Sequence, residues 1–192
     1  KKEQAAGDNY EVAMVAIDPD NGYIKALVGG KDYDASQVNM ATGTGGSGRQ
    51  AGSSFKTFTL VAAIEQGIDP STMIDASATA KLPGWEVANI NHTNYGTKSI
   101  SDAFAVSSNT AFARLILSIG PDKVVDVAKR MGITSPLTAT GSLTLGSESV
   151  TPLEMANAYA TIANGGTHYD PECVERIVDR NGSIVVDNSA PK

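Results

Sequence analysis

A serine and a lysine stand three residues apart where a helix is predicted to begin. The segment runs from Gly52 through Ser53 and Lys56 to Gly67, a residue type that favours a helix end. Residues three apart share one face of a helix, so the Ser53 hydroxyl and the Lys56 amine are expected to lie side by side. Serine needs a neighbouring proton acceptor before it can attack a carbonyl carbon. The pair therefore indicates a nucleophile and its base.

The same four-residue pattern recurs at Ser189 to Lys192 in a polar tail, so the pattern alone identifies nothing. Lys56 could instead be a solvated residue of the first helical turn, although a cation there opposes the helix dipole. The glycines that precede this helix do not make a phosphate-binding loop, because Phe55 stands where that loop requires glycine. The surrounding chain must decide between these interpretations.

Length and charge limit the architecture and the partners. The chain has 192 residues, 15 basic and 21 acidic side chains, a net charge of -6 and a pI near 4.8. The length suits one domain, with residues 1–9 as a linker, 10–187 as the folded part and 188–192 as a tail. The acidic balance excludes a general attraction to nucleic acid or to anionic membrane surfaces.

Cysteine count and hydropathy exclude further classes. The single cysteine, Cys173, rules out an internal disulfide and a cysteine-rich zinc site. The apolar runs are too short to span a bilayer, and no signal peptide opens the chain. No cofactor or metal is indicated.

Hydrophobic periodicity and turn residues predict both strands and helices. Hairpins are expected over residues 10–28 and 174–186, around turns rich in Asp, Asn and Gly. Residues 68–96 show little periodicity and are expected to be irregular around a partly buried Trp85.

Helix signals occur at five places. The Ser53 helix is expected to bury four apolar side chains: Phe55, Leu60, Ala63 and Ile64. A capping box of Thr151 and Glu154 predicts the start of the last helix. The expected helices cover residues 53–65, 99–106, 110–119, 122–131 and 152–163, and the sequence Ser107-Ser108-Asn109 separates the second from the third.

Six motifs follow one another along the chain: Gly29-Gly30, Arg49 to Lys56, Ala105 to Thr110, Leu145-Gly146, Val150 to Glu154 and Ala158 to Gly166. In this order they resemble the transpeptidase domain of penicillin-binding proteins, most closely the bifunctional, class A type. The resemblance covers about residues 11–187, and its specificity comes from the ordered set.

The resemblance implies roles for four residues. Ser53 resembles the acylated nucleophile, Lys56 its proton acceptor, Ser107 a proton relay to the leaving amine, and Asn109 a substrate-binding residue. These roles suit the local chemistry, because a helix start offers backbone N–H groups to an oxyanion and burial there lowers the pKa of a lysine. Ser107 and Asn109 could alternatively cap the helix that follows them.

The resemblance also implies a mixed α and β fold, an antiparallel sheet flanked by helices. This chain departs from the family in having no Lys-Thr-Gly or Lys-Ser-Gly motif, which the family carries on a strand C-terminal to the motifs above. The C-terminal strands are therefore expected to be missing from this chain, and a C-terminal fragment of the same domain is expected as a partner.

The implied reaction is D-Ala-D-Ala transpeptidation, in which Ser53 forms an acyl-enzyme with a peptidoglycan stem peptide and passes the acyl group to an amine of a neighbouring stem. β-Lactam antibiotics are expected to acylate the same serine. The resemblance implies a protein that acts outside the cytoplasm, held at the cell membrane by an upstream segment, and the presence of a glycosyltransferase domain before this chain stays open.

Three other functions compete with this one. A Ser-His-Asp hydrolase could use only His92 or His168, and neither lies in a supporting motif. A serine β-lactamase of class A has Ser-Asp-Asn where this chain has Ser-Ser-Asn, and its deacylating carboxylate could only be sought at a residue such as Glu148. A non-catalytic β-lactam sensor or peptide-binding module is the third.

Overall fold

A computed structural model describes residues 11–46 and 48–190, so the expected linker and the last two residues of the tail lie outside the described residues. The strands are β1 (Met14–Ile17), β2 (Ile24–Val28), β3 (Arg49–Gln50), β4 (Met73–Asp75), β5 (Thr79–Leu82), β6 (Trp85–Ala88), β7 (Thr97–Ser99), β8 (Ser149–Val150), β9 (Arg176–Val178) and β10 (Ile184–Asp187). The α-helices are α1 (Lys56–Glu65), α2 (Ile100–Ala105), α3 (Asn109–Ile119), α4 (Pro121–Arg130) and α5 (Pro152–Ala163).

Antiparallel ladders and helices alternate along the chain, as a mixed α and β fold requires. The described residues group into two compact units. The first contains residues 11–46, 48–49, 130–135 and 150–190, and the second contains residues 50–129 and 136–149. The expectation of a single domain over residues 10–187 stays a prediction.

The second unit has a helical core. The rings of Phe55 and Phe58 lie 4.6 Å apart between centroids, at the start of α1. On α3 an apolar face is buried: Phe112, Leu115, Ile116 and Ile119. The face predicted for α1 is partly wrong, because Ile64 is 49% exposed while Lys56 and Thr59 are buried. Polar residues occupy part of this helix's buried face because they have partners in the interior, as described below.

The expectation of irregular structure over residues 68–96 is wrong. β4 pairs with β7, and β5 and β6 form a hairpin in which Leu82 lies opposite Trp85. The turn between them is Pro83-Gly84, where Gly84 has a φ of 80°. These strands are three or four residues long. An alternation of apolar and polar residues over so short a length does not distinguish a strand from a loop. Trp85 is partly buried, as expected, and packs on the cluster of Ala80, Val87 and Ala113.

The first unit contains both predicted hairpins, β1–β2 and β9–β10. Helix α5 packs against β1 and begins at the predicted capping box, in which Thr151 and Glu154 each accept the other's backbone N–H. Met14 and Val28 lie directly opposite each other in the β1–β2 hairpin and are 53% and 45% exposed. This unit therefore presents apolar side chains on one face of its hairpin.

Within the described ranges, no helix combines the length and the hydropathy that crossing a membrane requires.

Candidate active site

Ser53 and Lys56 lie on one face at the start of α1, as the spacing predicted. A turn of 3-10 helix over Gly52–Phe55 leads into α1 and leaves Ser53 exposed. Lys56 is only 1% exposed, so the interpretation of a solvated lysine is wrong. The Lys56 Nζ lies 2.7 Å from Ser53 Oγ, within hydrogen-bond distance.

The amine of Lys56 also reaches the break between α2 and α3. Its Nζ lies 3.0 Å from Ser107 Oγ, 3.0 Å from the Ser107 carbonyl oxygen and 2.8 Å from Asn109 Oδ1. All four predicted site residues therefore meet at one nitrogen atom, although about 50 residues separate the two motifs along the chain.

The local fold of the break explains this placement. Ser107 has a φ of 54°, and its backbone N–H donates to Phe104 O at 2.8 Å, which closes α2. Ser108 then caps α3 by accepting a hydrogen bond from Ala111 N. The alternative that Ser107 or Asn109 caps the helix is wrong, because Ser108 holds that position and leaves its two neighbours facing Lys56.

The orientation of the Asn109 amide follows from its other partner. Asn109 Nδ2 donates to the Ala88 carbonyl oxygen at 3.1 Å. Because an amide nitrogen can only donate, Asn109 Oδ1 is the atom that faces Lys56.

Burial lowers the pKa of Lys56 from 10.5 to about 8. Desolvation disfavours the charged amine, and the oxygens in contact with it belong to neutral groups. At pH 7 about a tenth of such a lysine is neutral, about 300-fold more than for a lysine of ordinary pKa. Lys56 thus has a usable fraction of its basic form.

The contacts of Lys56 suit both of its protonation states. Ser107 O and Asn109 Oδ1 can only accept, so two N–H groups of either form can donate to them. The third position on Nζ is a hydrogen in the ammonium and a lone pair in the neutral amine. The ammonium can therefore donate a hydrogen bond to the hydroxyl of Ser53 or Ser107. The neutral amine can accept a proton from the same hydroxyl, and neither change requires a heavy atom to move.

A turn over Gly141–Leu145 packs against the segment that carries Ser53. Gly146, which follows that turn with a φ of 66°, lies so close to Gly52 that a Cβ there would collide with the Gly52 backbone. Thr144 Oγ1 and Thr59 Oγ1, both fully buried, lie 2.8 Å apart. Gly146 belongs to one of the six sequence motifs, but its place beside the site was not predicted.

The two histidines do not form a serine triad in this structure. His168 Nδ1 lies 3.2 Å from Thr161 Oγ1, and the Thr161 hydroxyl donates to Asn157 O. The hydroxyl beside His168 therefore belongs to Thr161 of α5, a buried threonine that is 6% exposed, and not to an exposed serine. His92 is exposed in a turn.

Comparison with known proteins shows which family and which relatives the chain resembles. The family model described as "Penicillin binding protein transpeptidase domain" matches residues 12–192. Penicillin-binding protein 2D of Bacillus subtilis is 37% identical, over 95% of this chain and 27% of its own length. Penicillin-binding protein 1A of Mycobacterium tuberculosis is 34% identical, over 94% of this chain and 23% of its own length. The chain thus spans about a quarter of the length of these relatives.

Solved structures give the same result for the fold. The structure of the PonA1 protein from Mycobacterium tuberculosis in complex with penicillin V matches with a TM-score of 0.88 and 33% identity. The match covers 100% of this chain and 54% of that one. It confirms the expected mixed α and β fold of the transpeptidase type.

Proposed function

Because the chain belongs to the family of penicillin-binding protein transpeptidase domains, we propose that it crosslinks peptidoglycan stem peptides through an acyl-enzyme on Ser53. The observation that carries the proposal is the convergence of Ser53, Ser107 and Asn109 on Lys56 Nζ within 3.0 Å. A nucleophile beside a base, with the base oriented by further groups, is the arrangement that covalent catalysis needs.

In the first step Ser53 Oγ attacks the carbonyl carbon of the D-Ala-D-Ala peptide bond, and its proton passes to the neutral Lys56 amine. The tetrahedral intermediate then expels the nitrogen of the terminal D-Ala. That nitrogen takes a proton from the Ser107 hydroxyl, which is replenished from Lys56 across their 3.0 Å contact. The products are free D-Ala and an ester on Ser53, with Lys56 neutral again.

In the second step an amine of a neighbouring stem peptide attacks the ester. Its proton passes through Lys56 to Ser53 Oγ as the ester bond breaks, so the enzyme is regenerated and a new peptide bond is formed. The backbone N–H of Ser53, at the start of α1, is proposed to stabilise the oxyanion in both steps. Asn109 is proposed to bind the peptide backbone of the substrate as well as Lys56.

The substrate carboxylate and the second oxyanion donor require groups beyond these four. We assign them to a Lys-Thr-Gly or Lys-Ser-Gly strand on a C-terminal fragment of the same domain. Separately, the exposed apolar pair of Met14 and Val28 supports a further segment of chain that covers the β1–β2 hairpin. The whole protein is proposed to act outside the cytoplasm, anchored to the cell membrane by an upstream segment.

Labelling with a fluorescent penicillin tests the proposal. The full-length protein is expected to be labelled once, and peptide mapping is expected to place the adduct on Ser53. Ser54→Ala is the matched control, because Ser54 is adjacent and exposed but its hydroxyl donates to Ala51 O at 2.7 Å. An adduct on Ser54, or no adduct on a folded protein, contradicts the assignment. Labelling without any turnover of a peptide or thioester favours a β-lactam sensor instead.

A further inference from the structure

Asn89 directly follows β6, and its side chain is only 4% exposed. Its Nδ2 donates to three backbone carbonyl oxygens, those of Ala76 at 3.0 Å, Ser77 at 3.1 Å and Thr93 at 2.9 Å. The two amide hydrogens are shared among these acceptors, so the donor capacity of the side chain is fully used. One buried amide therefore joins three backbone positions of the strand region.

The amide oxygen of Asn89 faces the break between α2 and α3. It accepts hydrogen bonds from Ser108 Oγ at 3.0 Å and from Thr110 N at 3.1 Å. Ser108 and Thr110 stand on either side of Asn109 and are fully buried. Because buried polar groups that lose their partners destabilise a fold, these bonds fix where the segment lies.

The residue before Asn89 holds the same segment through a second bond. Ala88 O accepts from Asn109 Nδ2 at 3.1 Å, which turns Asn109 Oδ1 toward Lys56. Asn89 N donates to Ala78 O at 2.9 Å, so the end of the β5–β6 hairpin is itself anchored. The segment from Ser107 to Asn109 is thus held by the hairpin end on one side and contacts Lys56 on the other.

We propose that Asn89 is a positioning residue for acyl transfer, which holds Ser107 and Asn109 against Lys56 without touching the reacting atoms. The inference rests on the proposed function of Ser53. Ser107 adopts a φ of 54°, a conformation that a residue with a Cβ keeps only where its surroundings restrain it. Asn89 supplies restraint to the residues that follow Ser107. A displacement of about 1 Å in such a site slows a reaction about 100-fold.

The test compares Asn89→Ala with the wild type in the full-length protein, using a fluorescent penicillin. The acylation rate constant at saturating penicillin is expected to fall about 100-fold, while the half-saturating concentration changes less than about threefold. The pH of half-maximal rate is expected to rise by about one unit, because displacement of Ser107 and Asn109 admits water to Lys56. The groups in contact with Lys56 Nζ are all uncharged, so its solvation dominates this shift.

Two further variants make the comparison specific. Asn94→Ala is the matched control, because Asn94 is an exposed asparagine of the same connection that accepts a local hydrogen bond from Gly96 N. It is expected to leave the rate and the pH midpoint unchanged. Asn89→Gln keeps both amide functions without adding a charge, one methylene further from the backbone, and is expected to lose about tenfold in rate with a smaller rise of the pH midpoint. Circular dichroism establishes that each variant is folded.

A folded Asn89→Ala protein that is acylated at the wild-type rate with an unchanged pH midpoint overturns the inference. A loss of thermal stability without a shift of that midpoint overturns it too, because it reveals a purely structural role. If Asn89→Ala does not fold, the same criteria apply to Asn89→Gln. If the wild type is not labelled at Ser53, the proposed function fails instead. The pH dependence of Lys56 acetylation by trace acetic anhydride, measured by mass spectrometry, then still shows whether Asn89→Ala exposes the amine.

Discussion

Lys56 is buried among hydrogen-bonding oxygens that carry no full charge. A nearby carboxylate would stabilise the ammonium and raise its pKa, whereas this environment lowers the pKa to about 8 through desolvation. The partial positive charge at the start of α1 also disfavours the ammonium, so it acts in the same direction as desolvation. The residue is therefore suited to accept a proton near neutral pH.

The pH dependence of acylation follows from this pKa. The neutral amine is the active form, and it is the form present above the pKa. The rate of Ser53 acylation at saturating penicillin is therefore expected to rise with pH, reach half its maximum near pH 8 and level off above. Stopped-flow measurement of labelling between pH 6 and 10 checks this. A rate that is flat or falls over that range would exclude Lys56 as the base.

Lys56→Ala is expected to lower the acylation rate about 1,000-fold, because general-base catalysis contributes about 100- to 10,000-fold. The fold is expected to persist, since alanine is the better helix former. Lys129→Ala, an exposed lysine on α4, is the matched control and should react like the wild type. Normal acylation of a folded Lys56→Ala protein contradicts the assigned role.

At the scale of elements, the contact between Gly146 and Gly52 ties the turn over Gly141–Leu145 to the start of α1. Gly146→Ala places a methyl group against the Gly52 backbone and is expected to displace Ser53. Acylation should slow about 10- to 100-fold, measured with the fluorescent penicillin on the full-length protein.

Gly67→Ala separates this collision from backbone strain. Gly67 has a φ of 80°, and no atom lies within 4 Å of the position that a Cβ would take, so its substitution brings strain without a clash. It should lower the free energy of unfolding by about 1 kcal/mol and leave the acylation rate unchanged. Equal effects of the two substitutions on acylation would mean that the Gly52 contact has no role in placing Ser53.

Glu154 joins α5 to the residues that follow Gly132. Its carboxylate, 8% exposed, accepts five hydrogen bonds from Thr151, Thr134 and Ser135. Burial by itself raises the pKa of Glu154, but these hydrogen bonds outweigh it and bring the pKa below 4.5. A group with a depressed folded-state pKa stabilises the fold above its unfolded pKa, and this contribution is lost as the pH falls through the folded one.

Glu154→Gln is therefore expected to lower the free energy of unfolding at pH 7 by about 3 kcal/mol. The difference from the wild type should shrink below pH 4.5, as the wild-type carboxyl takes up a proton. Urea unfolding at pH 7 and pH 3.5 measures both values. Glu175→Gln, at an exposed position, should change stability by less than about 0.5 kcal/mol at either pH. A difference that does not depend on pH argues against an ionised clamp.

The sequence predicted what depends on local spacing. Ser53 and Lys56 are three residues apart, so helix geometry alone brings them together, and the capping box of Thr151 and Glu154 is equally local. Ser107 and Asn109 could be assigned only through the family resemblance, because their approach to Lys56 depends on tertiary packing. Asn89 lies within the range 68–96 that was expected to be irregular, and its side-chain partners come together only through tertiary packing, which the sequence does not reveal.

At the scale of the whole molecule, the β1–β2 hairpin has an apolar face that needs to be covered by further protein. Met14 and Val28 are paired across the two strands and half exposed, and two strands alone are marginally stable in water. Exposed strand edges and apolar faces promote association with other chains. The 192-residue chain by itself is therefore expected to self-associate and to react with penicillin far more slowly than the full-length protein.

A charged pair at these two positions tests whether the exposed apolar face of the hairpin causes the self-association. In the 192-residue chain alone, Met14→Glu with Val28→Lys should reduce self-association, because the opposite charges attract across the strands and the apolar face is gone. In the full-length protein the same double substitution should destabilise, because a further segment of the chain is expected to cover this face. Size-exclusion chromatography with light scattering and thermal unfolding measure the two effects. A 19.9 kDa chain that is monomeric, cooperatively folded and penicillin-reactive contradicts the prediction, since nothing else would then be needed to complete the sheet or the site.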